Sequence, residues 1–132
     1  MPIVDTAVLF AAADDMDRFH QGAVATLRKL GGKALLGGSA LIEFDVVLKS
    51  RGLSPEARRE EMTLLMLEFP STVASVHRPG PQTIYLAALY EEEFGLDYFD
   101  SMIAAEAAEH DSSIITSDRE FEKIPGLRRI PI

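Results

Sequence analysis

Cysteine is absent from the 132-residue chain. That excludes a disulfide scaffold, cysteine-based zinc sites and thiol catalysis. It also fits a reducing, cytoplasmic setting. No apolar run approaches the roughly 18 residues of a membrane span, and no basic-then-apolar leader opens the chain. Neither a membrane association nor a signal peptide is therefore expected. There is no Walker loop and no Gly-x-Gly-x-x-Gly, so triphosphate and dinucleotide sites are unsupported. A Ser–His–Asp hydrolase would need a Gly-x-Ser-x-Gly elbow, which is missing. His20, His77 and His110 are scattered along the chain without a His-x-x-x-His pair, which argues against zinc.

Positive charge is also short. Thirteen Lys and Arg face 21 Asp and Glu, for a net charge of -8. That balance argues against bulk electrostatic affinity for nucleic acid, unless acids gather around metal ions and bases gather elsewhere. The bases do cluster in sequence: Arg28, Lys29 and Lys33; Lys49, Arg51, Arg58 and Arg59; Arg119, Lys123, Arg128 and Arg129. Each cluster also reads as an ordinary solvated face.

What remains is a globular composition, 47% hydrophobic and 26% charged, long enough for one domain over residues 1–132. No repeat or linker divides it. Ile3 and Val4 begin a short strand that ends at Asp5, and "TAVLFAAA" follows as a helical or turn segment. Met16, Phe19, Ala23, Leu27 and Leu30 recur at helical spacing, predicting a helix from Met16 to Leu30 stopped by Gly31 and Gly32. "KALLGG" reads as a buried strand, with Ser39 as N-cap of a helix reaching Lys49. Ser54 and Pro55 start another helix, in which one face of "MTLLMLEF" is expected to enter the core. Val73 to Val76 read as a strand. Pro81 opens a helix that Gly95 ends, and Asp97 caps the next. "SSIITS" is a buried strand and "LRRIPI" a last edge strand. Continuous apolar strands between helices predict an α/β fold with a mostly parallel sheet covered on both faces. Sites in such sheets form beyond the carboxyl ends of the strands. Asp5 and Asp118 both stand there.

Two further acids sit in apolar company. Glu43 lies in "SALIEFDVVLK", a helix apolar nearly all round and expected to be buried. Asp100 shares a helical face with Ile103, Ala104 and Ala107, whereas Asp97 has the cap role available. Asp45 and Asp111 read as surface residues. Each acid has a structural alternative as a helix cap or half-exposed group. If the four converge, two carboxylates about 4 Å apart repel by about 4 kcal/mol at an effective dielectric of about 20. Four could not stay ionised together without a cation. An oxygen-only cluster suits Mg²⁺ or Mn²⁺, and the chemistry of such a cluster is phosphoryl transfer.

At these residues the sequence resembles the PIN-domain ribonucleases, of the kind found as VapC-type toxins of VapBC toxin–antitoxin pairs. The resemblance covers nearly the whole chain. It is carried by "IVDTAVLFA" at Asp5 and Thr6, "SALIEFDVVLK" at Glu43, "LDYFDSMIAAEA" at Asp100, and "IITSDREF" at Thr116, Asp118 and Phe121. It implies a PIN-like three-layer α/β/α fold and a metal-dependent endoribonuclease. Asp5, Glu43, Asp100 and Asp118 would be both catalytic and metal-binding, holding Mg²⁺ or Mn²⁺. Thr6 and Thr116 would orient the acids, with Asp97 in support. It further implies an RNA substrate, an antitoxin partner and a homodimer. Two other readings stand beside it: a non-catalytic module that uses the fold to bind protein, and another Mg²⁺ phosphohydrolase. The haloacid-dehalogenase type of the latter wants an Asp-x-Asp that "VDTAV" lacks.

Overall fold

The computed structural model describes residues 1–132. Five strands, β1 Ile3–Val4, β2 Leu35–Gly37, β3 Val76–His77, β4 Ser113–Ile115 and β5 Arg128–Ile130, pair into one sheet. Their order is β3-β2-β1-β4-β5, and every pairing is parallel. Successive strand residues face opposite sides of a sheet. Ile3 and Val4 are neighbours and both are fully buried, so helices cover both faces. The expected three-layer architecture is therefore present, with a wholly parallel sheet at its centre.

Six helices supply the outer layers: α1 Thr6–Ala13, α2 His20–Arg28, α3 Gly38–Ser50, α4 Pro55–Glu68, α5 Pro81–Phe94 and α6 Tyr98–Ala108. Local cap chemistry explains several of their ends. Ser54 Oγ accepts the Ala57 N–H at 3.1 Å, and Asp97 Oδ1 accepts the Asp100 N–H at 2.8 Å. Gly95 closes α5 at φ 66, a left-handed position that suits glycine.

Other ends depart from expectation. The helix predicted from Met16 starts only at His20. Asp14 and Asp17 intervene, accepting the N–H groups of Met16 (3.0 Å) and Phe19 (2.8 Å) in side-chain-closed turns. It also ends at Arg28, short of Leu30 and the two glycines. Residues Pro70–Ser75 form a 3-10 helix, so the strand expected over Val73 to Val76 begins only at Val76. The N-cap of α3 is Gly37, two residues earlier than Ser39. No local side chain caps that helix, and the groups that do come from elsewhere in the chain.

The sheet turns back on itself at β1. From β1 the chain adds β2 and β3 on one side, then crosses through α5 and α6 to add β4 and β5 on the other. That reversal opens a crevice beyond the ends of β1 and β4, the position where parallel sheets bind ligands. The core beneath it is built from Ile3, Val4, Leu9, Leu27, Leu36, Ile103, Ile114 and Phe121, all essentially buried.

Candidate metal and nuclease site

Asp5 is the first residue past β1 and is buried with 3% exposure. Its backbone N–H continues the ladder to the Ile115 carbonyl at 3.1 Å. Its carboxylate is then held at both oxygens. Oδ1 accepts the Thr6 N–H at 2.7 Å, capping α1. Oδ2 accepts the Thr116 hydroxyl at 2.7 Å. The same hydroxyl accepts the Asp118 N–H at 2.9 Å. Asp118 in turn caps the 3-10 helix Arg119–Lys123, its Oδ1 accepting the Glu120 N–H at 2.9 Å. Thr6 donates its hydroxyl to Glu43 Oε1 on α3. The two threonines singled out from sequence thus join three of the four acids into one hydrogen-bonded chain.

Asp100 comes from the first turn of α6 and is half-buried. Its link to the others is through charge. Burial pushes its carboxyl up to about 8, with further upward pressure from Asp97, Asp5, Asp118 and Glu43. Burial likewise raises Asp5 to about 6, against the downward pull of Thr116 and Thr6, with Glu43 and Asp118 adding to the rise. Glu43 is raised by burial, then by Asp97 and Asp118. Asp100 thus lies within electrostatic reach of Asp5, Glu43, Asp118 and Asp97, beyond the β1 and β4 ends.

Two sequence expectations are corrected here. α3 is not buried all round: Ile42 and Val46 are 58% and 46% exposed, and Glu43 is half-buried on a helix with one open side. The histidines are not all scattered, since the His77 and His110 rings meet edge to face at 4.8 Å. The sequence reading also missed Glu106, fully buried in α6 and bonded to His77 Nδ1 at 2.8 Å. A glutamate within "AAEAAEH" was the available signal. Asp111 is exposed as expected, and Asp45 is partly exposed beside Arg58 at 3.6 Å.

The donors offered to a cation are all carboxylate or hydroxyl oxygens, the set that hard ions take. As they stand, no three of the acids or histidines are placed to hold a metal ion together. An open set fits Mg²⁺, which binds through one or two carboxylates and keeps several of its waters.

The molecule is an all-parallel α/β protein with an acidic crevice beyond its central strand ends. The family model for the PIN domain matches residues 3–127, and the chain belongs to that family. Solved structures agree on the fold. VapBC2 from Rickettsia felis, bound to a DNA fragment from its promoter, aligns with TM-score 0.71 at 14% identity, covering 98% of this chain and 97% of that one. FitAcB from Neisseria gonorrhoeae aligns with TM-score 0.72 at 18% identity, covering 98% and 96%. VapBC-1 from nontypeable Haemophilus influenzae aligns with TM-score 0.67 at 16% identity, again covering 98% and 96%. No curated protein sequence matches the chain.

Proposed function

We propose that this PIN-domain chain is a metal-dependent endoribonuclease and the toxin half of a toxin–antitoxin pair. The observation that carries the reading is the crowding of carboxylates in a partly buried crevice, where burial first, and neighbouring negative charge after it, lift Asp5 to about 6 and Asp100 to about 8. Such crowding disfavours the ionised acids unless a cation is present.

In this reading Asp5, Glu43, Asp100 and Asp118 hold Mg²⁺ or Mn²⁺. Such an ion, when bound, would supply a water of lowered pKa and stabilisation of negative charge on the phosphate and the leaving oxygen. The chain's own residues do the rest. Thr116 fixes Asp5 and the backbone of Asp118, and Thr6 fixes Glu43. Asp97 holds the first turn of α6 and with it Asp100. Asp100, raised by burial to about 8 in the metal-free chain, carries a proton near neutrality that an incoming cation would displace. Lys123 lies close enough to Asp100 and Asp118 for their charges to raise it, after the larger effect of Glu120. Its ammonium is an available contact for an RNA phosphate on an otherwise acidic chain.

Two surfaces support the partners. A cavity of about 490 Å³ between α1, α2, α3 and α4 is lined by Leu9, Phe44, Leu64 and Leu65, with Asp15, Glu61 and Glu68 also at its wall. An apolar cleft with acids at its wall suits a basic amphipathic antitoxin segment. The chain shares its fold with VapBC2 and VapBC-1. A second groove, between α3 and α4, exposes Ile42 and Met66 beside Leu41 and Met62. We assign it to contact with a second copy. No helix is long and apolar enough to cross a membrane.

The test is cleavage of labelled RNA with Mg²⁺, Mn²⁺ or EDTA, by the natural chain and by Asp5→Asn. Metal-dependent cleavage lost in the variant supports the reading. Equal cleavage by both would trace to a contaminant. No cleavage by the natural chain, combined with tight protein binding, would favour a non-catalytic module.

A further inference from the structure

α3 carries Glu43, yet it starts without a cap of its own. Gly37 has no side chain to offer, and the first N–H groups of the helix need acceptors. They find them 67 and 68 residues away. Glu106 Oε2 accepts the Gly38 N–H and Oε1 accepts the Ser39 N–H, each at 3.0 Å. The carboxylate also stands at the positive end of the α3 dipole.

The approach is tight. A Cβ on Gly38 would lie 2.5 Å from the His77 carbonyl oxygen, so the start of α3 is pressed against the end of β3. His77 closes the arrangement. Its Nδ1 meets Glu106 Oε2 at 2.8 Å and its Nε2 meets Glu109 Oε2 at 3.0 Å. A ring that faces a carboxylate at both nitrogens donates from both only as the imidazolium. Glu109 is fixed in turn by the Thr83 hydroxyl, 2.5 Å away on α5. The remaining charged groups around the ring are His110, edge-on at 4.8 Å, and the exposed Arg78 that follows it. No titratable side chain of α3 or α5 is hydrogen-bonded or ion-paired to the ring.

We propose that Glu106 is a positioning residue for Glu43. It seats the first turn of α3, and the His77 ring, bonded to it through Nδ1, holds it in place. Glu43 lies five residues beyond Gly38, about 7.5 Å along the helix axis. A shift of the first turn is therefore carried to its carboxylate. The inference rests on the reading of Glu43 as a site residue.

The experiment is NMR of the metal-free full chain, titrated between about pH 5 and 8, the range in which histidine changes charge. The signals followed are the His77 ring, the Gly38 and Ser39 amides and the Glu43 carboxyl carbon. The expected result is a step in the Gly38, Ser39 and Glu43 signals at the His77 midpoint. Glu43 titrates on its own account, so the decisive comparison is His77→Gln, which should remove that step and leave the rest. A Glu43 signal indifferent to His77, or a step that survives in His77→Gln, overturns the proposal. Glu106→Gln supplies a second arm. It should displace the Glu43 resonance and weaken Mn²⁺ binding about tenfold. Weaker Mn²⁺ binding with an unmoved Glu43 signal would also overturn it. The titration needs neither metal nor RNA, so its failure is separable from failure of the nuclease reading.

Discussion

Thr116 and Asp5 are 111 residues apart in sequence, and the Thr116 hydroxyl donates to Asp5 Oδ2 at 2.7 Å in a buried setting. Because the same oxygen accepts the Asp118 N–H, one hydroxyl ties the end of β1 to the turn after β4. The crevice between these strands is held shut at its base by this group.

Thr116→Val keeps the shape and removes the hydroxyl. Asp5 then loses a bond that draws its carboxyl down, and its pKa rises above the present value of about 6. Leaving buried polar atoms unpaired costs about 1–3 kcal/mol. Urea unfolding should register that loss, and calorimetry should show Mn²⁺ affinity reduced about tenfold. An unchanged midpoint and Mn²⁺ affinity would remove Thr116 from the site.

The raised acids set a pH dependence for the metal-free chain. A carboxyl with a folded pKa above its unfolded value keeps its proton in the fold while the unfolded chain has released it. Stability is then greatest below the unfolded pKa and falls as pH rises to the folded one. For Asp5 the window runs from 3.8 to about 6, and for Asp100 from 3.8 to about 8. Buried Asp5 alone contributes a loss of about 3 kcal/mol. Chemical denaturation at fixed pH should trace the decline in EDTA. A metal-free chain equally stable at both ends of the window would refute the raised carboxyls of Asp5 and Asp100.

Asp100→Asn should separate function from stability. Asparagine carries no charge, so the variant escapes the Asp100 part of that decline. Its stability relative to the natural chain should grow with pH and level off beyond about 8. Cleavage should fall about a hundredfold or more, as expected when a group acting on the reacting atoms is lost. A variant that loses stability and keeps its activity would contradict both halves.

Mn²⁺ should raise the melting temperature, because it binds the folded acids and not the unfolded chain. At a free concentration about 100 times its Kd the gain is about 2.7 kcal/mol, or roughly 10 °C for a chain of this size. Asp118→Asn should blunt the rise. A natural chain whose melting temperature ignores saturating Mn²⁺ has no such site.

Much of the fold was legible because its signals are local. Pro55, Pro81, Gly95 and Asp97 mark helix ends through their own backbone or side-chain chemistry, and α4, α5 and α6 begin or end where they indicate. Asp5, Glu43, Asp100 and Asp118 were legible as acids in apolar company. What escaped depends on distant residues. Ser39 has the chemistry of a cap, but Glu106 from α6 does the capping, and close packing on His77 moves the helix start to Gly38. The stretch "MTLLMLEF" does turn one side to the core, through Met62, Leu65 and the buried Phe69 that ends α4, while Leu64, Met66 and Leu67 stay exposed. Periodicity shows that a helix has an apolar side, and it does not say whether this chain or a partner covers that side.

Phe121 provides a last prediction, linking the core to the site. It is 1% exposed, within the main core, and lies in the 3-10 helix that Asp118 caps. The turn bearing Asp118 is therefore anchored three residues later by a buried ring. Phe121→Ala leaves a cavity and should cost about 3–5 kcal/mol, while Phe121→Leu should cost roughly 1–2 kcal/mol. The milder variant is the informative one. With the fold retained, the Glu120 amide that bonds to Asp118 Oδ1 should exchange faster with solvent, and Mn²⁺ should bind more weakly. Faster exchange spread evenly over the chain would mean that Phe121 stabilises the domain as a whole. A local change confined to the Asp118 turn would show the ring holding that acid in the crevice.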